Sequence, residues 1–284
     1  MKRRTAIGLL AGAASAPSLT LAAEKPGVER GANAGFDPAN PAHVALAFRK
    51  LAWSMDESLT FQWLHGTRYG VQGSLVTPFW EMHVGTWFRA HDIGGGSYEV
   101  RSAGANFYTL PGAPKLLEKF RNPYTGETVD IPYAAPSVTT ALYDEKGRRP
   151  FDDIPGTKTT SKTDVGPAWV QGNEVSVRAD ITVHAEPLDP GKRTLTAQDM
   201  STFTGSIADV MNPDAANPPS RHMFNDILDY PAYLRMGDQP GTYFSRCHGR
   251  KVYRYGEMPA AWRALFEAKF PDAARDPGGV LHRP

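Results

Sequence analysis

Alternation of apolar and polar positions dominates the chain. Between Phe79 and Asp92, the residues Glu81, His83, Gly85, Trp87, Arg89 and His91 fall on one side of an extended segment, and Met82, Val84, Thr86 and Phe88 on the other. The second set is an apolar core face. The same two-residue period, with Val, Thr, Tyr, Phe and Trp bounded by Gly and Pro, predicts strands over Leu59–Val71, Phe79–Asp92, Ser97–Leu110, Leu116–Arg121, Thr128–Tyr133, Asn173–Glu186, Met200–Ser206 and Gly241–Tyr255. Helical spacing occurs near the ends. Asn40 and Pro41 open a helix whose apolar stripe is Val44, Ala47, Phe48 and Leu51, and Pro259 opens another with Trp262, Leu265, Phe266 and Phe270. The expected fold is mainly antiparallel β, a barrel or strongly curved sheet with a few peripheral helices. Two Pro- and Asp-rich stretches, Arg148–Gly166 and Met211–Ser220, read as long excursions within one domain.

The first residues follow a different pattern. A basic start (Lys2, Arg3, Arg4), an apolar run from Ala6 to Ala14 and a small-residue stretch ending Leu21-Ala22-Ala23 predict a twin-arginine export signal over residues 1–23 and delivery to the periplasm or beyond. The apolar run is shorter than the roughly 20 residues a bilayer span needs, so no stable membrane anchor is expected. Residues 24–38 read as a flexible lead, and 39–284 as one β-rich domain. Without the signal, 28 Lys and Arg face 30 Asp and Glu. That leaves no basic footprint for nucleic acid. The single cysteine, Cys247, excludes an intramolecular disulfide, so an apolar core must hold the domain.

Candidate chemistry lies on the polar side of the Phe79–Asp92 strand. Reading Ile93-Gly94-Gly95-Gly96 as a four-residue loop sets Asp92 against Ser97, which places His83 opposite Asn106, Glu81 opposite Tyr108 and Gly85 opposite Gly104. A loop differing by an odd number would swap the faces. In this register Glu81 tunes His83 as a general base, while Tyr108, Asn106 and Arg89 stabilise a developing oxyanion or phenolate. His65, Trp63, Tyr69, Trp87 and His91 line the same surface and contact a substrate that is small and aromatic or apolar. The expectation is a lyase or isomerase working without a cofactor. Two alternatives share these residues. One is a metal-dependent hydrolase or oxygenase with zinc or iron held by His65, Glu81, His83 and His91, and the other is a non-catalytic carrier of an apolar ligand. The chain contains no HExxH, CxxC, phosphate loop, GxSxG elbow or dinucleotide fingerprint.

The stretch Asn122-Pro123-Tyr124-Thr125-Gly126-Glu127 leading into Val129-Asp130-Ile131-Pro132, with the later Met236-Gly237-Asp238-Gln239-Pro240-Gly241 and Gly249-Arg250-Lys251, resembles the DUF1838 proteins, a bacterial group often carrying export signals. The resemblance implies one continuous domain over most of the chain. It carries no catalytic residues with it.

Overall fold

The structure, a computed structural model, describes residues 35–282 except 114, 145–146, 149–155 and 190–193. The predicted export signal (1–23) and most of the predicted lead (24–38) therefore lie outside the described residues. Helix α1 (Pro41–Ala52) begins as its sequence requires: the Asn40 side chain accepts from the Ala42 N–H, and Pro41 occupies the first turn. The strands follow as β1 (Thr60–Gln72), β2 (Leu75–Gly94), β3 (Ser97–Thr109), β4 (Lys119–Arg121), β5 (Thr128–Asp130), β6 (Thr139–Asp144), β7 (Gly147–Arg148), β8 (Thr157–Gln171), β9 (Glu174–Pro187) and β10 (Leu195–Ser206). A short α2 (Ile207–Met211), strands β11 (Arg221–Leu228) and β12 (Thr242–Val252), and helices α3 (Ala260–Lys269), α4 (Pro271–Arg275) and α5 (Pro277–Val280) complete the order.

All strands except β4 and β5 join one antiparallel sheet in the order β7-β6-β3-β2-β1-β12-β11-β10-β9-β8. It curls into a half-barrel. The mainly antiparallel, strongly curved sheet expected from alternation is the fold observed. The curl gives each strand an inner and an outer face, and both are covered in part. Inside, α1 joins Ala90 of β2 and Val100 of β3 to Val175 and Val177 of β9 and Phe203 of β10 in one apolar cluster, so this helix fills one end of the concavity. The β4–β5 ribbon and the 3₁₀ turn Ala232–Leu234 fill the other end, packing Phe120, Val129 and Leu234 on Trp80, Met82 and Tyr243. Outside, α3 lays Trp262 and Phe266 across β2 and β3, against Trp87 and Phe107.

Polar side chains pin α1 in place. Buried Gln62, Ser220 and Lys251 donate to the carbonyls of Ala52, Leu51, and Lys50 and Trp53, all at the end of the helix. These are acceptors that a helix C-terminus leaves unmade. Burial lowers the Lys251 pKa to about 7, against an opposing effect of Asp56.

Several parts differ from the sequence reading. Thr157–Gln171 is a long strand covering much of the expected Arg148–Gly166 excursion, and β6 and β11 are strands that the alternation did not predict. The β2–β3 register differs as well. Gly94 pairs with Ser97, and an irregularity between Asp92 and Gly94 leaves only Gly95 and Gly96 in the turn. Gly94, Gly95 and Gly96 all take positive φ, and the Asp92 carboxylate accepts from the Gly94 N–H, which fixes the bulge. His83 therefore faces Phe107 and Glu81 faces Thr109, an odd slip that sends Asn106 and Tyr108 to the other side of the sheet.

Candidate functional site

On the outer face, strand pairing assembles the cluster that alternation had suggested only in part. His65 of β1 stands directly across from His83 of β2, and their rings are 4.8 Å apart. His65 Nε2 is 3.9 Å from Glu81 Oε2. One ligand atom from each of His65, Glu81 and His83 lies within 4.8 Å of the others. Buried Thr109 bridges the pair on β2: its hydroxyl donates to Glu81 Oε2 at 3.4 Å and lies 3.2 Å from His83 Nε2. Such an outer partner fixes ring and carboxylate orientation. Trp63 stacks parallel to His65, and its buried indole N–H has no partner among the described residues.

Electrostatics favours a neutral His83. Burial, and then the proximity of His65, lower its pKa, while Glu81 opposes them. A neutral imidazole is the form that coordinates metal. The cluster remains accessible, with the side chains of His65 and Glu81 exposed by 34% and 29%. His248 of β12 stands directly across from His65 on this outer face and is exposed, within the strand predicted over Gly241–Tyr255. Its cross-strand position depends on the β1–β12 pairing, for which no local motif exists.

The remaining expected residues divide between two faces and several environments. Trp87 is fully buried under α3. Gly85, expected opposite Gly104, pairs with Ala105 and is covered by Trp262: a Cβ at Gly85 would fall 2.2 Å from that indole, whose N–H donates to the Ala105 carbonyl. Trp87, expected to line the surface, and Gly85 are therefore core. His91 is eight residues along β2 from His83, roughly 26 Å in an extended strand, and its Nδ1 pairs with Glu57 at 2.8 Å. It does not join the cluster. Arg89 faces Arg101, and Tyr69 packs its ring 5.9 Å from Phe244.

Asn106 and Tyr108 lie inside the half-barrel, beside a group that the sequence did not reveal. Arg68, Asp226 and Ser245 form a buried network there: Arg68 Nη1 donates to Asp226 Oδ1, which also accepts from the Ser245 N–H at 2.9 Å and hydroxyl at 2.6 Å. The Arg68 guanidinium lies 4.1 Å from the Tyr243 ring centre, and the Tyr243 and Tyr233 hydroxyls are 3.1 Å apart. The available signal was parity, because Arg68 is a charge on the β1 face that carries Leu64.

Comparison with known proteins adds a family. The sequence matches the family described as "Protein of unknown function (DUF1838)" over residues 74–283. The chain belongs to the DUF1838 family. The matched region holds every strand from β2 onward, so Glu81 and His83 fall within the DUF1838 match while His65 and Arg68 precede it. No curated protein and no solved structure matches the chain.

Proposed function

We propose that this DUF1838 protein is a metal-dependent enzyme that holds one divalent transition ion, zinc or iron, through His65, Glu81 and His83. The observation that carries the reading is the convergence of two imidazoles and one carboxylate within 4.8 Å on adjacent strands. Two nitrogen donors and one oxygen suit either ion, and three protein ligands leave coordination positions for substrate. Such an ion would supply Lewis acidity for hydrolysis in the case of zinc, or redox activation of dioxygen for oxygenation in the case of iron. Thr109 orients Glu81 and His83, while the Trp63 ring beside His65 offers a flat surface for a small aromatic or apolar substrate.

The metal-free lyase reading requires Tyr108 and Asn106 beside His83. The register puts them on the opposite face, which takes away its oxyanion donors. Export by the twin-arginine route, inferred from Arg3, Arg4 and the apolar run behind them, is compatible with loading an ion before translocation. Elemental analysis of protein purified without chelators tests the proposal. About one equivalent of zinc or iron is expected, lost in Glu81→Gln and His83→Ala and kept in His91→Ala. Metal-free wild-type protein, or metal that survives both ligand substitutions, overturns it.

A further inference from the structure

Inside the half-barrel, the row Tyr108–Met82–Gly66–Cys247–Phe224–Ser201 runs across six strands, next to the row containing Arg68, Ser245 and Asp226. A sealed core would carry apolar groups here. This zone instead holds a charged pair and three tyrosines at the margin of the cluster that the β4–β5 ribbon covers, where Met82, Cys247 and Tyr243 are buried and Tyr108, Phe224 and Tyr233 pack against them. It is also approachable: Tyr108, Phe224 and Ser201 are only partly buried, and Asn106 on the same face is exposed.

Arg68 is 5% exposed, yet its Nε–H is buried with no partner among the described residues. An unmet donor on a buried cation costs more than one on a neutral group and points to an acceptor supplied from outside. We propose that this inner face binds a neutral small molecule bearing a carbonyl group on an aromatic or apolar body, the carbonyl oxygen accepting from Arg68 and the neighbouring tyrosine hydroxyls. Charge balance selects a neutral acceptor over a carboxylate. Asp226 already neutralises Arg68, so a bound anion would bury an uncompensated charge, while a carbonyl asks only for donors. Burial raises the pKa of Tyr108 to about 12 and also raises those of Tyr233 and Tyr243, so all three stay protonated as donors. This site stands on the opposite side of the sheet from the metal cluster and does not depend on it.

Saturation-transfer NMR titrations of the full protein with acetophenone, benzoate and ethylbenzene test the proposal. These probes differ in the group attached to one ring: a neutral acceptor, a charged acceptor and none. Acetophenone should saturate, binding about fivefold or more tighter than either of the others, the worth of one hydrogen bond. Tyr108→Phe, which keeps the ring, should weaken acetophenone by about fivefold and leave ethylbenzene unchanged, with Tyr233→Phe as a second variant should the first fold poorly. Metal removal or His65→Ala should alter none of this, which separates the inner site from the metal reading. Benzoate or ethylbenzene binding as tightly as acetophenone, no saturable acetophenone binding, or folded Tyr→Phe variants with wild-type affinity would each overturn the inference.

Discussion

Strand β1 sends His65 outward and Arg68 inward, and these two residues begin polar clusters of opposite character. The outer group of His65, Glu81 and His83 is partly exposed, and among its members only Glu81 and His83 share a bridging partner, Thr109. The inner group around Arg68 and Asp226 is buried, and each charge is held by several contacts. Both surfaces belong to one sheet, so fold does not distinguish them. Burial does: inner charges cannot lose a partner without unfolding cost, while the outer side chains remain open to solvent.

The sharpest way to break this contrast is to truncate one charge on the inner side. Arg68→Met leaves the Asp226 carboxylate uncompensated inside the half-barrel, a change that costs about 3–5 kcal/mol in buried pairs. Denaturant titration should show that loss, with a melting point roughly 10 °C lower. A variant as stable as wild type would mean that the inner pair is hydrated like a surface pair.

Acid should expose the second largest effect, again from the inner face. His222 stacks on Phe203 with ring centres 4.2 Å apart, its Nε2 lies 3.0 Å from Ser201 Oγ and its Nδ1 has no partner among the described residues. Burial lowers its pKa from 6.5 to about 3. The folded state therefore binds fewer protons than the unfolded state between those values, so stability is intact above pH 6.5 and falls as pH drops towards 3, by on the order of 3–5 kcal/mol in full. His222→Phe keeps the stack and should flatten that limb. Lys251 acts in the same direction at higher pH: with its pKa at about 7 in the fold against 10.5, stability should rise as pH climbs between those values. A stability profile unchanged by His222→Phe would show that another group carries the acid limb.

The contrast also explains what the sequence made legible. Alternation in β2 revealed the outer residues Glu81 and His83, and helix caps revealed α1, because both are local patterns. The slipped register depended on backbone geometry at Gly94–Gly96, which residue type permits but does not dictate. Strand β8 escaped because its inward positions include Thr159, Ser161 and Thr163, polar residues that hide the alternation. Arg68 and Asp226 are 158 residues apart and meet only because β12 inserts between β1 and β11. No spacing rule reports such a contact. His248 came into view for the same reason, through β12, while His91 shared a face with His83 but lay too far along the strand.

A smaller inner effect sharpens the comparison further. Tyr233→Phe removes one hydroxyl from the pair with Tyr243 and leaves the ring packed, so its cost should be about 0.5–1.5 kcal/mol, the net worth of one hydrogen bond. A cost above that range would mean that the tyrosine hydroxyls and the Arg68–Asp226 pair form one cooperative network. Double substitution with Tyr108→Phe measures the coupling directly.

The smallest stability change should come from the outer face, and there it is the discriminating result. His65→Ala removes a side chain that is 34% exposed, stacked on Trp63 and 3.9 Å from Glu81, and measured on metal-free protein it should shift stability by no more than about 0.5 kcal/mol. Under the proposed metal reading the same substitution should also abolish ion binding, because two remaining ligands hold a divalent metal poorly. Loss of metal with an unchanged apo melting curve is the signature of a residue kept for chemistry. A large apo destabilisation would instead make His65 part of the packing between β1, β2 and β12, and the outer face would then resemble the inner one in kind.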